Sequence, residues 1–221
     1  WPEDDAVSMF LRLSIPPQNN KHRKLILENR INNIPDPTYG LQLQDLAIQG
    51  HNAEGKMKIE YQEIEKKFED GTIVFLRKPK YSIVSWKYGP PHRELQISPR
   101  VASPMIGLGL LEAINEKDIL KNEDPEDKNN DGISGKANKV WDIKAKKVKL
   151  GRFGWKAGEP NISQQSSKAF NGDIGISAPL AEKHWGDCST KQKKCRNAPN
   201  GNTPSQNNLE ISNESMKKII F

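Results

Sequence analysis

Long apolar runs are missing from this chain: no window approaches the roughly 18 consecutive apolar residues that would span a bilayer, so no membrane helix is expected. Also missing are a nucleophile elbow, a Gly-rich phosphate loop and a His-Glu-x-x-His motif, which leaves hydrolase and nucleotide-binding readings without support. Cysteine is scarce. Cys188 and Cys195 stand alone, and the absence of a second close ligand pair removes a structural zinc site. Their setting among Gly, Pro and Asn predicts a local disulfide; closing an eight-residue loop would contribute about 2.5 kcal/mol on the chain-entropy model. Such a bond favours an oxidising compartment such as the periplasm, whereas two free thiols in a reducing one is the alternative. Hydrophobic residues make up only 34% of the 221, and Gly (16) and Pro (15) are plentiful, so short elements joined by long loops are expected.

What is present divides into three stretches. Residues 1–55 read as a connecting arm, with an apolar patch from Val7 to Ile15 and a short helix around Leu25, Ile26 and Leu27. Residues 56–90 switch to alternating β character in Met57–Tyr61, Thr72–Arg77 and Tyr81–Trp86, with Asp70-Gly71 as a hairpin turn, which predicts an antiparallel three-stranded β-meander. Residues 91–221 read as helices and loops. Ser103-Pro104 predicts the cap and first position of a helix from Met105 to Ile114, whose Gly107 and Gly109 point to a flat neighbour packed close. A second helix is expected over Ile162 to Phe170, capped by Asn161 or Ser163. The fold class is α+β and loop-rich. Trp1 is not an initiator Met, and a helix beginning near Ser212 stops after about two turns, so the chain is expected to be a piece of a longer protein.

Two motifs carry chemistry. In Asp127-Lys128-Asn129-Asn130-Asp131-Gly132-Ile133, side-chain oxygens stand at positions one, three and five, glycine at six and a carbonyl at seven, the pattern of a calcium loop. Asp127, Asn129 and Asp131 would be side-chain ligands and Ile133 the carbonyl ligand. Asn138 stands where an EF-hand has a bidentate Glu, so weak binding is expected, with a last ligand from Asp124, Glu126, Asp142 or water. An Asx-rich turn without metal fits the same residues. The second motif, Gly151-Arg152-Phe153-Gly154-Trp155-Lys156-Ala157-Gly158, is an aromatic glycine-rich loop. It either brings a ring against a flat partner or anchors the loop to a core. Among the histidines, His92 behind Gly89-Pro90-Pro91 is the one a rigid approach could aim at a metal; Met105 is either a thioether ligand or core.

Taken together, Ser98–Val101, Pro104–Ile114, the Asp127–Gly135 loop, Leu150–Gly158 and Gln164–Pro179 resemble the bacterial di-haem oxidoreductases, distant relatives of the di-haem cytochrome c peroxidases. The resemblance implies cytochrome-c-like short helices and an inter-haem pocket. It matches Trp155 to an electron-bridging Trp, and Gln164 and Asp173 to a peroxide-pocket pair in which the carboxylate moves a proton between oxygens. Asp173 could equally be a capping or loop residue. Arg100 or Arg152 would pair with a haem propionate, or form a surface ion pair. The chain has no Cys-x-x-Cys-His, so c-type haem would be attached in flanking regions of the parent protein, which become this segment's first partners. A small redox protein would be the second.

A different class of reading is a calcium-stabilised extracellular binding module using exposed Trp141 and Trp185. The formal charge of +6 and the lysines from Lys136 to Lys149 raise nucleic acid as a third, but the acids scattered through the chain count against it, and the run reads as a solvated face.

Overall fold

The computed structural model describes residues 9–220, which fall into two compact units. Unit 1 takes 9–15, Pro35–Ala102 and Ser189–Gln192; unit 2 takes Pro16–Ile34, Ser103–Cys188 and 193–220. The architecture is α+β with short helices and three two-stranded antiparallel sheets.

Unit 1 is built on strand β1 (Met9–Ser14), whose alternating residues Met9, Leu11 and Leu13 are buried with Tyr39, Leu43 and Met57. This is the period-two signature of a half-buried strand. It pairs with β4 (Gln96–Val101), placing Leu11 opposite Pro99 and Phe10 opposite Arg100. Between them lies a long hairpin of β2 (Lys56–Lys67) and β3 (Ile73–Val84).

The expected three-stranded meander is therefore corrected to two strands. Thr72–Arg77 and Tyr81–Trp86 belong largely to one continuous strand, because Lys78-Pro79-Lys80 does not interrupt it: Pro79 sits opposite Tyr61. In a two-stranded ribbon every strand is an edge, where proline's missing N–H is tolerated. The Asp70-Gly71 turn forms as expected, with Gly71 at φ 87 and the Asp70 carboxylate accepting from the Thr72 N–H. The base of the hairpin joins the core through Met57, Ile59, Tyr81 and Ile83.

Two buried carboxylates organise the loops of unit 1. Asp36 accepts from the N–H groups of Thr38, Tyr39 and His92. Glu54 accepts from the Gln44 N–H and from the side-chain amide of Gln192, while Lys191 donates to Thr38. Each buried oxygen is thus partnered, as burial requires.

Unit 2 begins with α1 (Asn20–Leu27), capped by Asn19 and closed by Asn29 at φ 53, with the Arg30 N–H returning to the Leu25 carbonyl. These are the bonds of a Schellman motif. α2 (Leu108–Ala113) is shorter than the expected Met105–Ile114 helix, since Gly107 at φ 82 forms its N-cap and leaves Ser103 and Pro104 outside. Neither Gly107 nor Gly109 has a described atom within 4 Å of the place a Cβ would take, so the close neighbour expected there is not found. Then follow α3 (Glu116–Leu120), the hairpin of β5 (Lys139–Asp142) and β6 (Lys147–Leu150), and α4 (Ile162–Ala169), which runs on as a π-turn over Phe170–Ile174. Short α5 (Lys193–Arg196) and α6 (Asn213–Ile220) complete the unit, α6 being capped by the Ser212 hydroxyl accepting from Ser215. None of the described helices is long and apolar enough to cross a membrane.

Cys188 and Cys195 form the expected disulfide, and the loop it closes delivers Gln192 to Glu54. Replacing both cysteines by serine should lower stability by about 2–3 kcal/mol. Thermal unfolding with and without reductant checks this; an unchanged midpoint in both the variant and the reduced protein would contradict it.

Candidate functional site

The aromatic glycine-rich loop takes its shape from Gly151. A Cβ there would collide with the Ala157 carbonyl oxygen, so only glycine lets the loop fold back on itself. The turn is held by Arg152 and Phe153 N–H groups donating to the Glu159 carbonyl, and by Asn138 donating to the carbonyls of Lys156 and Ala157. Its two aromatics part company. Phe153 is buried and anchors the loop, while Trp155 is 65% exposed.

Beneath the loop lies a buried polar network whose members were expected singly, Gln164 in a pocket, Asp142 as a calcium ligand and Asn161 as a cap, and not as a group. Gln164 accepts from the Ile143 N–H and donates to the Trp141 carbonyl and to Glu159, using its carbonyl and both amide hydrogens. Asp142 accepts from the Ala145 N–H, from Lys149 at 2.7 Å and from Asn161, whose own oxygen caps α4 through the Gln164 N–H. Burial alone would raise the Asp142 pKa. The Ala145 N–H and the Lys149 ammonium outweigh it, and the carboxyl is held below its ordinary 3.8.

Arg152 has a different task from ion pairing. Its guanidinium donates to the carbonyls of Leu111, Glu112 and Ile114, satisfying the open end of α2, and Glu112 in turn accepts from the Ile162 N–H at the start of α4. The C-terminal end of α2 is thereby fixed, while apolar side chains of the helix and of the stretch before it are exposed: Met105, Ile106 and Leu110 are 65, 96 and 78% exposed. Core packing of Met105 is thus overturned, because Gly107 ends the helix before that residue can turn inward. Asp173 is exposed on the π-turn beside Ile174, also exposed. Trp155, Gln164 and Asp173 all belong to unit 2, whereas His92 and Arg100 belong to unit 1. The His92 Nδ1 accepts from the Glu94 N–H, which places the proton on Nε2, and Arg100 donates to the Pro99 carbonyl.

In the acidic loop, the carboxylates of Asp127 accept from the N–H groups of Asp131 and Gly132, Asn129 accepts from Asp131, and Asp131 accepts from Ile133. The Asp124 N–H closes the loop on the Gly135 carbonyl. Asn138 is engaged with the aromatic loop, away from any twelfth-position role. Among the described residues no three His, Cys, Asp or Glu side chains converge on a point that could hold a metal ion, so a calcium centre is not shown. Trp141 and Trp185, expected as bare binding aromatics, are each covered by a guanidinium, Arg30 at 3.5 Å and Arg196 at 4.4 Å, which removes the observation that favoured a binding module.

The family model described as "Di-haem oxidoreductase, putative peroxidase" matches residues 2–191. No curated protein and no solved structure matches the chain.

Asp142→Asn should destabilise the protein at neutral pH by about 1–3 kcal/mol, toward the lower end because Lys149 is partly solvated. Since the folded carboxyl titrates below the unfolded one, its contribution is present above the ordinary aspartate pKa and lost as pH falls through the depressed value. Denaturant titrations of both proteins should therefore converge in acid; a difference constant from neutral pH into strong acid would contradict the assignment.

Proposed function

Since the chain belongs to the di-haem oxidoreductase family, we propose that it forms the haem-facing central portion of a periplasmic, peroxidase-like electron-transfer enzyme and is not catalytic alone. The supporting observation is the exposure of apolar side chains at and before α2, whose C-terminal end Arg152 holds: Met105, Ile106 and Leu110 stand open to solvent, and on the glycine-rich loop the Trp155 indole is exposed. A porphyrin is a flat apolar partner of the kind such a surface suits, and charged side chains are few in Pro104–Leu111. The haem, when bound, supplies the redox-active iron. Its thiol attachment would lie outside these 221 residues, because the chain has no Cys-x-x-Cys-His.

The chain's own residues then have distinct tasks. Trp155, an exposed indole, would serve electron transfer between haems, and Asp173, an exposed carboxylate, would hold and move a proton at a peroxide oxygen. Gln164 serves by fixing Trp141 and Glu159, its hydrogen bonds being complete without a ligand. Arg152 positions α2. Arg100 and His92 are proposed as contacts of unit 1 with haem, Arg100 toward a propionate. A small redox protein exchanges electrons with the whole enzyme.

Calcium in the Asp127–Ile133 loop belongs to the same reading. It would draw the carboxylates of Asp127 and Asp131, the Asn129 amide oxygen and the Ile133 carbonyl toward one ion, exchanging Asx-turn hydrogen bonds for coordination.

Two measurements test the proposal. In the haem-bearing parent protein, Trp155→Phe should slow inter-haem electron transfer by about tenfold or more, equivalent to about 1.4 kcal/mol. Unchanged transfer and peroxide turnover would remove Trp155 from the path. Separately, about 1 mM Ca²⁺ should raise the unfolding midpoint of the wild type but not of Asp127→Asn/Asp131→Asn. No shift in the wild type would leave the loop a metal-free turn.

A further inference from the structure

The positive charge of this protein is concentrated in two segments far apart in sequence that the fold brings together. Residues 20–30 carry Lys21, Arg23, Lys24 and Arg30; residues 136–149 carry Lys136, Lys139, Lys144, Lys146, Lys147 and Lys149. Against these ten cations stand only Glu28 and Asp142, a net of +8 where the entire chain has +6, so the remainder is slightly acidic. All ten are exposed.

The segments are joined by two observations within unit 2. The Schellman turn that ends α1 fixes Arg30, and its guanidinium lies 3.5 Å from the ring centroid of Trp141 on β5. Two residues on, Asn32 donates to the Gly158 carbonyl at 2.9 Å. The β5–β6 turn then presents Lys144, Lys146 and Lys147 at the tip of the hairpin. Among the cations lie exposed apolar side chains: Leu27, Ile143 and Val148.

We propose that this α1 and β5–β6 surface docks an acidic electron-transfer protein, the redox partner of the enzyme; the redox nature of the partner rests on the function proposed above. Clustered like charges steer an oppositely charged protein from beyond contact range, and interspersed apolar groups give a short-lived complex its dry contact. A nucleic acid is disfavoured because Arg30 already occupies a face of the one aromatic in the patch, Trp141. A membrane is disfavoured because α1 has only eight residues and no buried or continuous apolar face.

The test uses the 221-residue chain and an acidic flavodoxin as probe, with a basic cytochrome c, a short DNA duplex and phosphatidylserine vesicles as comparators. At low ionic strength the flavodoxin should bind, its affinity should fall steeply toward about 0.15 M salt, and the cytochrome should not bind. Lys144→Glu/Lys146→Glu/Lys147→Glu should weaken flavodoxin binding by about tenfold or more, with Lys144→Gln/Lys146→Gln/Lys147→Gln intermediate. These lysines are chosen because Lys149 is paired with Asp142. An unchanged thermal midpoint in the Gln variant secures the comparison. Absence of flavodoxin binding at low salt, equal binding by the Glu variant, or tighter binding of DNA or vesicles than of flavodoxin overturns the proposal. The readout needs no haem, so its failure would leave the Trp155 experiment standing, and failure of that experiment would leave this surface intact.

Discussion

The side-chain amide of Gln164 is the point on which unit 2 turns. A buried amide left without partners would cost about 1–3 kcal/mol, and this one is completed only when three separate pieces of chain arrive together. The N–H of Ile143 and the carbonyl of Trp141 come from the β5–β6 hairpin, the carboxylate of Glu159 from the end of the glycine-rich loop, and the amide itself from α4. Asp142 and Asn161 repeat the same joint one layer away. With these contacts made, the loop has one conformation, its buried Phe153 and outward Trp155 follow, and Arg152 is placed to close the end of α2. An apolar surface can remain uncovered and still be ordered because polar bonds, rather than burial, hold it.

Unit 1 uses the same device with carboxylates. Asp36 gathers three N–H groups from two loops, and Glu54 gathers the backbone of Gln44 and the side chain of Gln192, around a modest core centred on Leu11, Leu13 and Tyr39. A chain with so little hydrophobic material depends on satisfied buried polar groups for a unique arrangement of its loops.

Much of this was legible from local signals. The Asp70-Gly71 hairpin turn, the Asn161 cap of α4 and the Cys188–Cys195 bond depend on neighbours in sequence, and each formed. Resemblance over Ser98 to Pro179 pointed to the family before any geometry was known. The failures have equally local causes. Thr72–Arg77 and Tyr81–Trp86 read as two strands, yet on a two-stranded ribbon the Pro79 between them interrupts nothing. Ser103-Pro104 looked like a cap, yet the left-handed Gly107 starts the helix four residues later. What could not be read were long-range pairings: Arg30 on Trp141, Arg152 on α2, Gln164 between hairpin and loop. Arg30 and Trp141, Arg152 and α2, and Gln164 and the hairpin are each more than twenty residues apart, and no period or spacing encodes such a partner. The role of Gln164 shows the limit most clearly, since its residue type suits a pocket and its position suits a joint.

The division of the chain between units has a consequence for biosynthesis. The amide that completes Glu54 belongs to Gln192, while the strand that begins the same core starts at Met9. Unit 1 therefore joins residues far apart in sequence, and a ribosome releasing residues one by one would add the 138 positions that separate Glu54 from Gln192 before that donor to the buried carboxylate emerged. Until then the Glu54 oxygen that Gln192 will meet is left to water, so this part of the core dries late.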